Sequence, residues 1–181
     1  MTRRYVDEII MKKPADKNSY LAEIPAVRFL EKKGSLTIDS DVTFFVGENG
    51  TGKSTLIEAI AVACGFNPEG GTKNFSFSTS GDGENFHSEL WEHIAVSRSR
   101  YPKDGFFLRA ESFFNAASYI DELDKIPAAS PKIIGGYGGR SLHEQSHGES
   151  FLALVKNRFF GSGLYILDEP EAALSPMRLM T

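Results

Sequence analysis

Apolar positions along the chain change their period several times, and each change marks an element. The first 20 residues show little periodicity beyond Ile9-Ile10-Met11, set among Arg3, Arg4, Lys12, Lys13 and Lys17, and read as a surface extension. Three short β-favouring runs follow: Ala26-Val27-Arg28-Phe29-Leu30, Ser35-Leu36-Thr37-Ile38 and Val42-Thr43-Phe44-Phe45-Val46, split by Gly34 and by Asp39-Ser40-Asp41. They predict three strands. After Gly52 the spacing turns helical, with Leu56, Ile57, Ile60, Ala61 and Cys64 on one stripe, and Gly65 followed by Asn67-Pro68 stops it. Cys64 on that stripe reads as a small core residue.

The signals weaken between Glu69 and Asp104, where Phe75 and Phe77 alternate with polar neighbours and Ile94 with Val96 suggests another short strand. Gly105 to Ala110 reads as a strand and about Ser112 to Leu123 as a helix. A breaker-rich loop runs from Pro127 through Gly135-Gly136-Tyr137-Gly138-Gly139. Phe151, Leu152, Leu154, Val155 and Phe159 mark a helix ended by Gly161-Ser162-Gly163, and Leu164-Tyr165-Ile166-Leu167 is an apolar run of buried-strand type.

Composition narrows the class without choosing within it. The 181 residues are long enough to enclose a core as one domain, and 41% hydrophobic residues with a net charge of −4 argue against global disorder and against a wholesale basic coat. A single cysteine cannot form an intramolecular disulfide, and no signal-peptide pattern opens the chain, so a cytoplasmic location is expected. No run of about 18 apolar residues is present to predict a membrane span.

The chemistry begins at Gly47-Glu48-Asn49-Gly50-Thr51-Gly52-Lys53-Ser54, which fits G-x-x-x-x-G-K-[ST] and stands between an apolar run and an amphipathic helix. Glycines let backbone N–H groups converge on phosphate oxygens, and the helix N-terminus adds its positive end. Lys53 is expected to reach the β- and γ-phosphates and Ser54 to place its hydroxyl on Mg²⁺, with Thr55 supporting the loop. A second site is expected where the run 164–167 ends in Asp168-Glu169-Pro170, as a Walker B segment does: Asp168 to hold Mg²⁺, and Glu169 to orient or deprotonate the water attacking the γ-phosphate.

With Gln145-Ser146-His147-Gly148-Glu149 between these two motifs and Ala173-Leu174-Ser175 after them, the order resembles the ATP-binding-cassette superclass of P-loop ATPases, and more narrowly the AAA-type predicted ATPases of the SMC and RecF-like branch. The resemblance runs from about Ile24 onward, with Gln145 to Glu149 where a Leu-Ser-Gly-Gly-Gln signature is usual. It implies an α/β P-loop NTPase fold, with Val42–Val46 and Leu164–Leu167 in a mostly parallel central sheet, an antiparallel β-subdomain, and helices packed on both. It implies an ATPase domain over residues 21–181 behind an extension at 1–20. It also implies Mg²⁺-dependent ATP binding and hydrolysis at sites shared head to tail in an ATP-dependent homodimer, Ser146 and Gly148 of one copy capping the γ-phosphate held by Lys53 of the other. Glu111, at the strand end Leu108-Arg109-Ala110-Glu111, is carried over as a Mg²⁺ or water contact. The chain departs from the pattern at His147, which replaces a glycine, at Glu111, where a glutamine is usual, and at Ser175-Pro176, which replaces the D-loop aspartate.

Other readings compete. His143-Glu144-Gln145-Ser146-His147 also spells the H-E-x-x-H zinc-hydrolase pattern, which requires both imidazoles on one face of a continuous helix. A non-hydrolysing ATP sensor uses the same phosphate loop. Small kinases lack an acid pair such as Asp168-Glu169, and no Asn-Lys-x-Asp segment for guanine is present. Tyr20, Arg28 or Phe29 are the candidates for stacking on adenine. About 90 residues separate loop and signature, too few for a long coiled-coil arm at 1.5 Å per residue. The cargo, whether protein or DNA, is not written in the residues. The resemblance also implies a further strand and a switch histidine after the D-loop. All four histidines precede Asp168, so a C-terminally shortened unit is expected, with binding surviving better than hydrolysis.

Overall fold

In the computed structural model, which describes residues 4–73, 88–110, 113–127, 131–159 and 162–173, β1 (Glu8–Met11) is the middle strand of a three-stranded antiparallel sheet. It pairs β2 (Ser35–Thr37) with Ile9 opposite Leu36, and β3 (Ile94–Ser97) with Ile9 opposite Val96. This corrects the reading of the first 20 residues as a surface extension: Ile9 is buried, and pairing on both edges needs only the three residues of the short apolar run with Glu8 before them. Positions 20 and 21 lie in the same compact unit, Met1–Pro68 with Gly83–Pro102; the second unit is Glu69–Asp82 with Lys103–Thr181.

Residues 26–30, expected as a strand, belong to helix α1 (Pro25–Lys33). Pro25 occupies the first turn, where its missing N–H costs nothing, and Gly34 closes the helix with a positive φ of 80° and its N–H on the Leu30 carbonyl. Val27 and Leu30, one turn apart, are buried, while Lys32 and Lys33 sit in the last turn, where the helix dipole favours cations. An apolar run this short fits either period, and the proline and glycine at its ends decide for the helix.

Residues 42–46 are likewise corrected. They form no strand: Val42, Phe44 and Val46 are 68%, 83% and 88% exposed. β-favouring side chains make a strand only when a neighbouring backbone pairs with them, and among the described residues no such ladder reaches this segment.

Helix α2 (Lys53–Ala63) follows as expected, with Leu56, Ile60, Ala61 and the capping Cys64 buried and Gly65 at φ 90° ending it. Glu58 is also buried, its carboxylate accepting the Ser88 N–H at 2.8 Å ahead of the short helix α3 (Leu90–His93).

The second unit is built on β4 (Asp104–Arg109) and β5 (Gly163–Asp168), parallel and in register from Asp104 opposite Gly163 to Arg109 opposite Asp168. An antiparallel bridge joins Gly71 to Phe107. Helices α4 (Phe113–Leu123) and α5 (His147–Arg158) enclose a core containing Phe106, Leu108, Ile120, Phe151 and Leu154, with Tyr165 and Leu167 against it. β5 is half-buried except at Asp168, against the expectation of a fully buried strand. Arg158 ties α5 to β4 through Asp104 at 2.9 Å. The architecture is thus mixed α/β with small sheets, and its parallel sheet has two described strands. The Phe75 and Phe77 alternation and Ser175-Pro176 lie outside the described residues.

Candidate functional site

The phosphate loop is a turn closed on itself. Thr51 donates from its hydroxyl to the Glu48 carbonyl at 2.8 Å, and Lys53 curls back so that Nζ donates to the carbonyls of Gly47 at 2.8 Å and Glu48 at 2.9 Å. The Ala26 N–H donates to the Thr51 carbonyl at 3.0 Å, so the start of α1 fastens the loop from behind. Gly50 and Gly52 take φ values of 79° and 90°, left-handed backbone that glycine adopts without strain. Gly52 is the N-cap of α2 and, having no side chain, leaves the first N–H groups of Lys53, Ser54 and Thr55 without a side-chain cap. Those uncapped donors, the helix dipole and the Lys53 ammonium form a donor set suited to an anion. Gly47, Glu48, Asn49 and Gly50 are exposed.

Asp168 and Glu169 lie in the second unit. Asp168 is 5% exposed, and its carbonyl accepts the Ala110 N–H at 3.3 Å, bringing the ends of β4 and β5 together. Glu169 is exposed and has a φ of 51°, the one positive value among the described residues other than glycine. A glutamate held in left-handed backbone costs roughly 1–2 kcal/mol. Outliers of this kind cluster where a side chain must be aimed. Its carbonyl accepts the Ala172 N–H at 3.0 Å in the 3₁₀ turn Pro170–Ala173. Glu111, the third expected metal contact, lies outside the described residues.

Ser146 is the N-cap of α5, so the helix opens at His147, and Gly148 is its second residue. The cap is reciprocal: the Ser146 hydroxyl accepts from the Glu149 N–H at 3.4 Å, and the Glu149 carboxylate takes the Ser146 N–H at 3.0 Å and its hydroxyl at 2.6 Å. The pattern Ser-x-x-Glu ahead of an apolar run was the sequence signal for this box. Buried Ser150 donates to the carbonyl of Leu142 at 2.6 Å and of Ser146 at 3.1 Å.

The backbone does not form the continuous helix that the zinc arrangement requires. His143 belongs to a separate 3₁₀ helix, Leu142–Glu144, and Gln145 is extended at φ −121°, ψ 154°, so His143 and His147 share no continuous helix. The His143 Nε2 instead meets the Ser118 hydroxyl at 2.9 Å. Of the adenine candidates, Tyr20 and Phe29 are more than half exposed, and Arg28 donates to the Ala22 carbonyl at 2.6 Å.

Sequence reasoning missed two acids, Asp121 and Asp124. Asp124 accepts the N–H groups of Ile133 at 2.6 Å and Ile134 at 2.8 Å, and Asp121 accepts the Ser141 hydroxyl. Their three-residue spacing, Asp121 on the predicted helix and Asp124 at its end, was the available signal.

Among the described residues no helix is long and apolar enough to cross a membrane. The family model described as AAA domain matches residues 23–123, more than half of the chain, from the turn before α1 through the phosphate loop to the end of α4. No curated protein and no solved structure matches the chain.

Proposed function

Because the chain belongs to the AAA domain family, P-loop ATPases of the SMC and RecF-like kind, we propose that it binds Mg²⁺-ATP at Gly47–Thr55 and hydrolyses it. The observation that carries this reading is the uncapped start of α2 behind a left-handed Gly52, with the Lys53 ammonium turned over the loop. The loop N–H groups and Lys53 would hold the triphosphate, as their charge and direction suit an anion and little else. Lys53 gives up two carbonyl partners to do so, exchanging neutral acceptors for charged ones that bind an ammonium more strongly.

Ser54 and Asp168, with Glu111, would hold Mg²⁺, a hard cation that takes oxygen ligands and, when bound, neutralises charge on the phosphate oxygens. Glu169 is the base: its carboxylate takes the proton of the attacking water, and its left-handed backbone supports the view that its direction is imposed. Ser146 and Gly148, at the start of α5, would cap the γ-phosphate of a second copy in an ATP-dependent homodimer. Ser146 must then exchange its bond to Glu149 for one to phosphate.

The test is ATP turnover with and without Mg²⁺, alongside nucleotide binding and molar mass in solution. Lys53→Ala is expected to lose binding and turnover together. Glu169→Gln is expected to bind ATP, lose turnover and accumulate as a dimer. Unchanged turnover in Glu169→Gln would sink the assignment of the base; ATP binding without turnover in the unsubstituted chain would leave the sensor reading in its place.

A further inference from the structure

We infer that three positioning residues, Ser118 and Asp121 on α4 and Asp124 just past its end, fix where Ser146 stands; this rests on the proposed role of Ser146 toward ATP bound by a second copy. The stretch from 131 to 146 has little to hold it. It contains four glycines, two of them, Gly138 and Gly139, at φ 97° and 77°, and its only regular pieces are the 3₁₀ helices Ile133–Tyr137 and Leu142–Glu144. Short 3₁₀ pieces have poor hydrogen-bond geometry and need external support.

The support comes from one stripe at three-residue spacing. Asp124 gives one carboxylate oxygen to each of the first two N–H groups of Ile133–Tyr137, a helix whose own N-cap, Lys132, offers no side-chain bond. Asp121 accepts the hydrogen bond of the Ser141 hydroxyl, which orients that oxygen to accept the His143 N–H at 3.2 Å and cap Leu142–Glu144. Ser118 meets the His143 ring at 2.9 Å. From Leu142 the hold passes through the buried Ser150 hydroxyl to the Ser146 carbonyl. Charge-assisted bonds to carboxylates are the stronger kind, so the two aspartates carry most of this anchoring.

Two variants remove the Asp121 link from opposite sides, Asp121→Ala and Ser141→Ala, and Asp121→Asn keeps an acceptor for Ser141. In the full chain, Asp121→Ala, Ser141→Ala and Asp124→Ala should lower kcat for ATP at least tenfold and weaken the ATP-dependent dimer, with ATP affinity of the single chain unchanged. Asp121→Asn should recover kcat to within about threefold. Amide hydrogen exchange at Ile133, Ile134 and His143 should rise in the alanine variants, with or without nucleotide. A merely structural role would lower ATP binding and kcat together and would not distinguish Asn from Ala. Alanine variants that keep kcat within twofold of an active parent, or leave exchange at 133–143 unchanged, overturn this inference alone. A parent with no turnover and no ATP-dependent dimer overturns the ATPase reading itself, and the functional part of this inference with it.

Discussion

Ile24 closes directly over Gly52: a Cβ built on Gly52 would clash with Ile24 Cγ2 and lie 3.4 Å from the Ala26 Cβ. The glycine between loop and helix therefore meets two demands, a φ of 90° and contact with the residues that lead into α1. Gly52→Ala should destabilise the first unit by about 2–5 kcal/mol, the sum of left-handed strain and overpacking. Denaturant unfolding measures the loss, and a nucleotide titration should show ATP binding lost with it. Ile24→Ala in the same chain should recover only the packing share, leaving the φ strain. Full recovery would show that the backbone conformation is not what requires glycine.

Glu169 offers the opposite trade. Its φ of 51° is costly for a glutamate and free for a glycine. Glu169→Gly should therefore raise stability, by up to about 1 kcal/mol after the added freedom of the unfolded chain is subtracted, while turnover falls to background. The midpoint of thermal or urea unfolding, measured beside the rate, checks both. A variant that loses activity and stability in parallel would remove the argument from strain.

These two positions show how unevenly the chain discloses itself. The helix after the phosphate loop was legible because its signals are local: the pattern, the helix it opens and the stop at Gly65 all lie within 20 residues, and α2 forms as read. β4, α4, α5 and β5 were legible for the same reason of clear period. Residues 26–30 were misread because five apolar-rich positions satisfy two periods, and Pro25 and Gly34 outweigh Val27. Residues 42–46 were misread because strand formation is a relation between two segments and only one of them can be seen locally. Ile9 was overlooked as core because its partners stand far along the chain, at Leu36 and Val96. Asp121 and Asp124, half-buried at and just past the end of α4, were passed over because their partners, Ser141 and the Ile133 and Ile134 N–H groups, stand on a separate segment.

The reciprocal cap at α5 separates two uses of one serine. Ser146→Ala should cost the second unit about 1 kcal/mol, the usual worth of an N-cap hydroxyl. Glu149→Gln retains a side chain able to bond the Ser146 N–H and should cost less than half as much. If Ser146 also acts across a dimer, Ser146→Ala will lower kcat far more than that small loss of stability explains, whereas Glu149→Gln will not. Paired unfolding and rate measurements decide.

Tyr137 sets an alkaline limit on the second unit. Burial pushes its hydroxyl from the ordinary 10.0 to about 12, helped by Asp104 and opposed by the Arg158 guanidinium, which lies 5.5 Å from the ring centre. A group that holds its proton more tightly when folded stabilises the fold fully below its unfolded value. That contribution is lost as pH rises from about 10 through 12, up to about 2–3 kcal/mol. Tyr137→Phe should be flatter across this range than the parent in denaturant titrations at pH 8, 10 and 11. Parallel slopes in the two proteins would contradict the shift.

The central place of β1 has a consequence for how the protein is made. Met11 pairs with Ile94, more than 80 positions later, and the whole phosphate loop is spelled out between them. During synthesis from the N-terminus, β1 and β2 can meet early, but the outer edge of β1 stays open until Ser97 has left the ribosome. Closing so long a loop is entropically slow. Until it closes, an unpaired edge is exposed to other chains. A nascent chain halted between residues 55 and 93 therefore carries a complete phosphate-binding sequence on an unfinished sheet, and maturation of the first unit is timed by the emergence of its last strand.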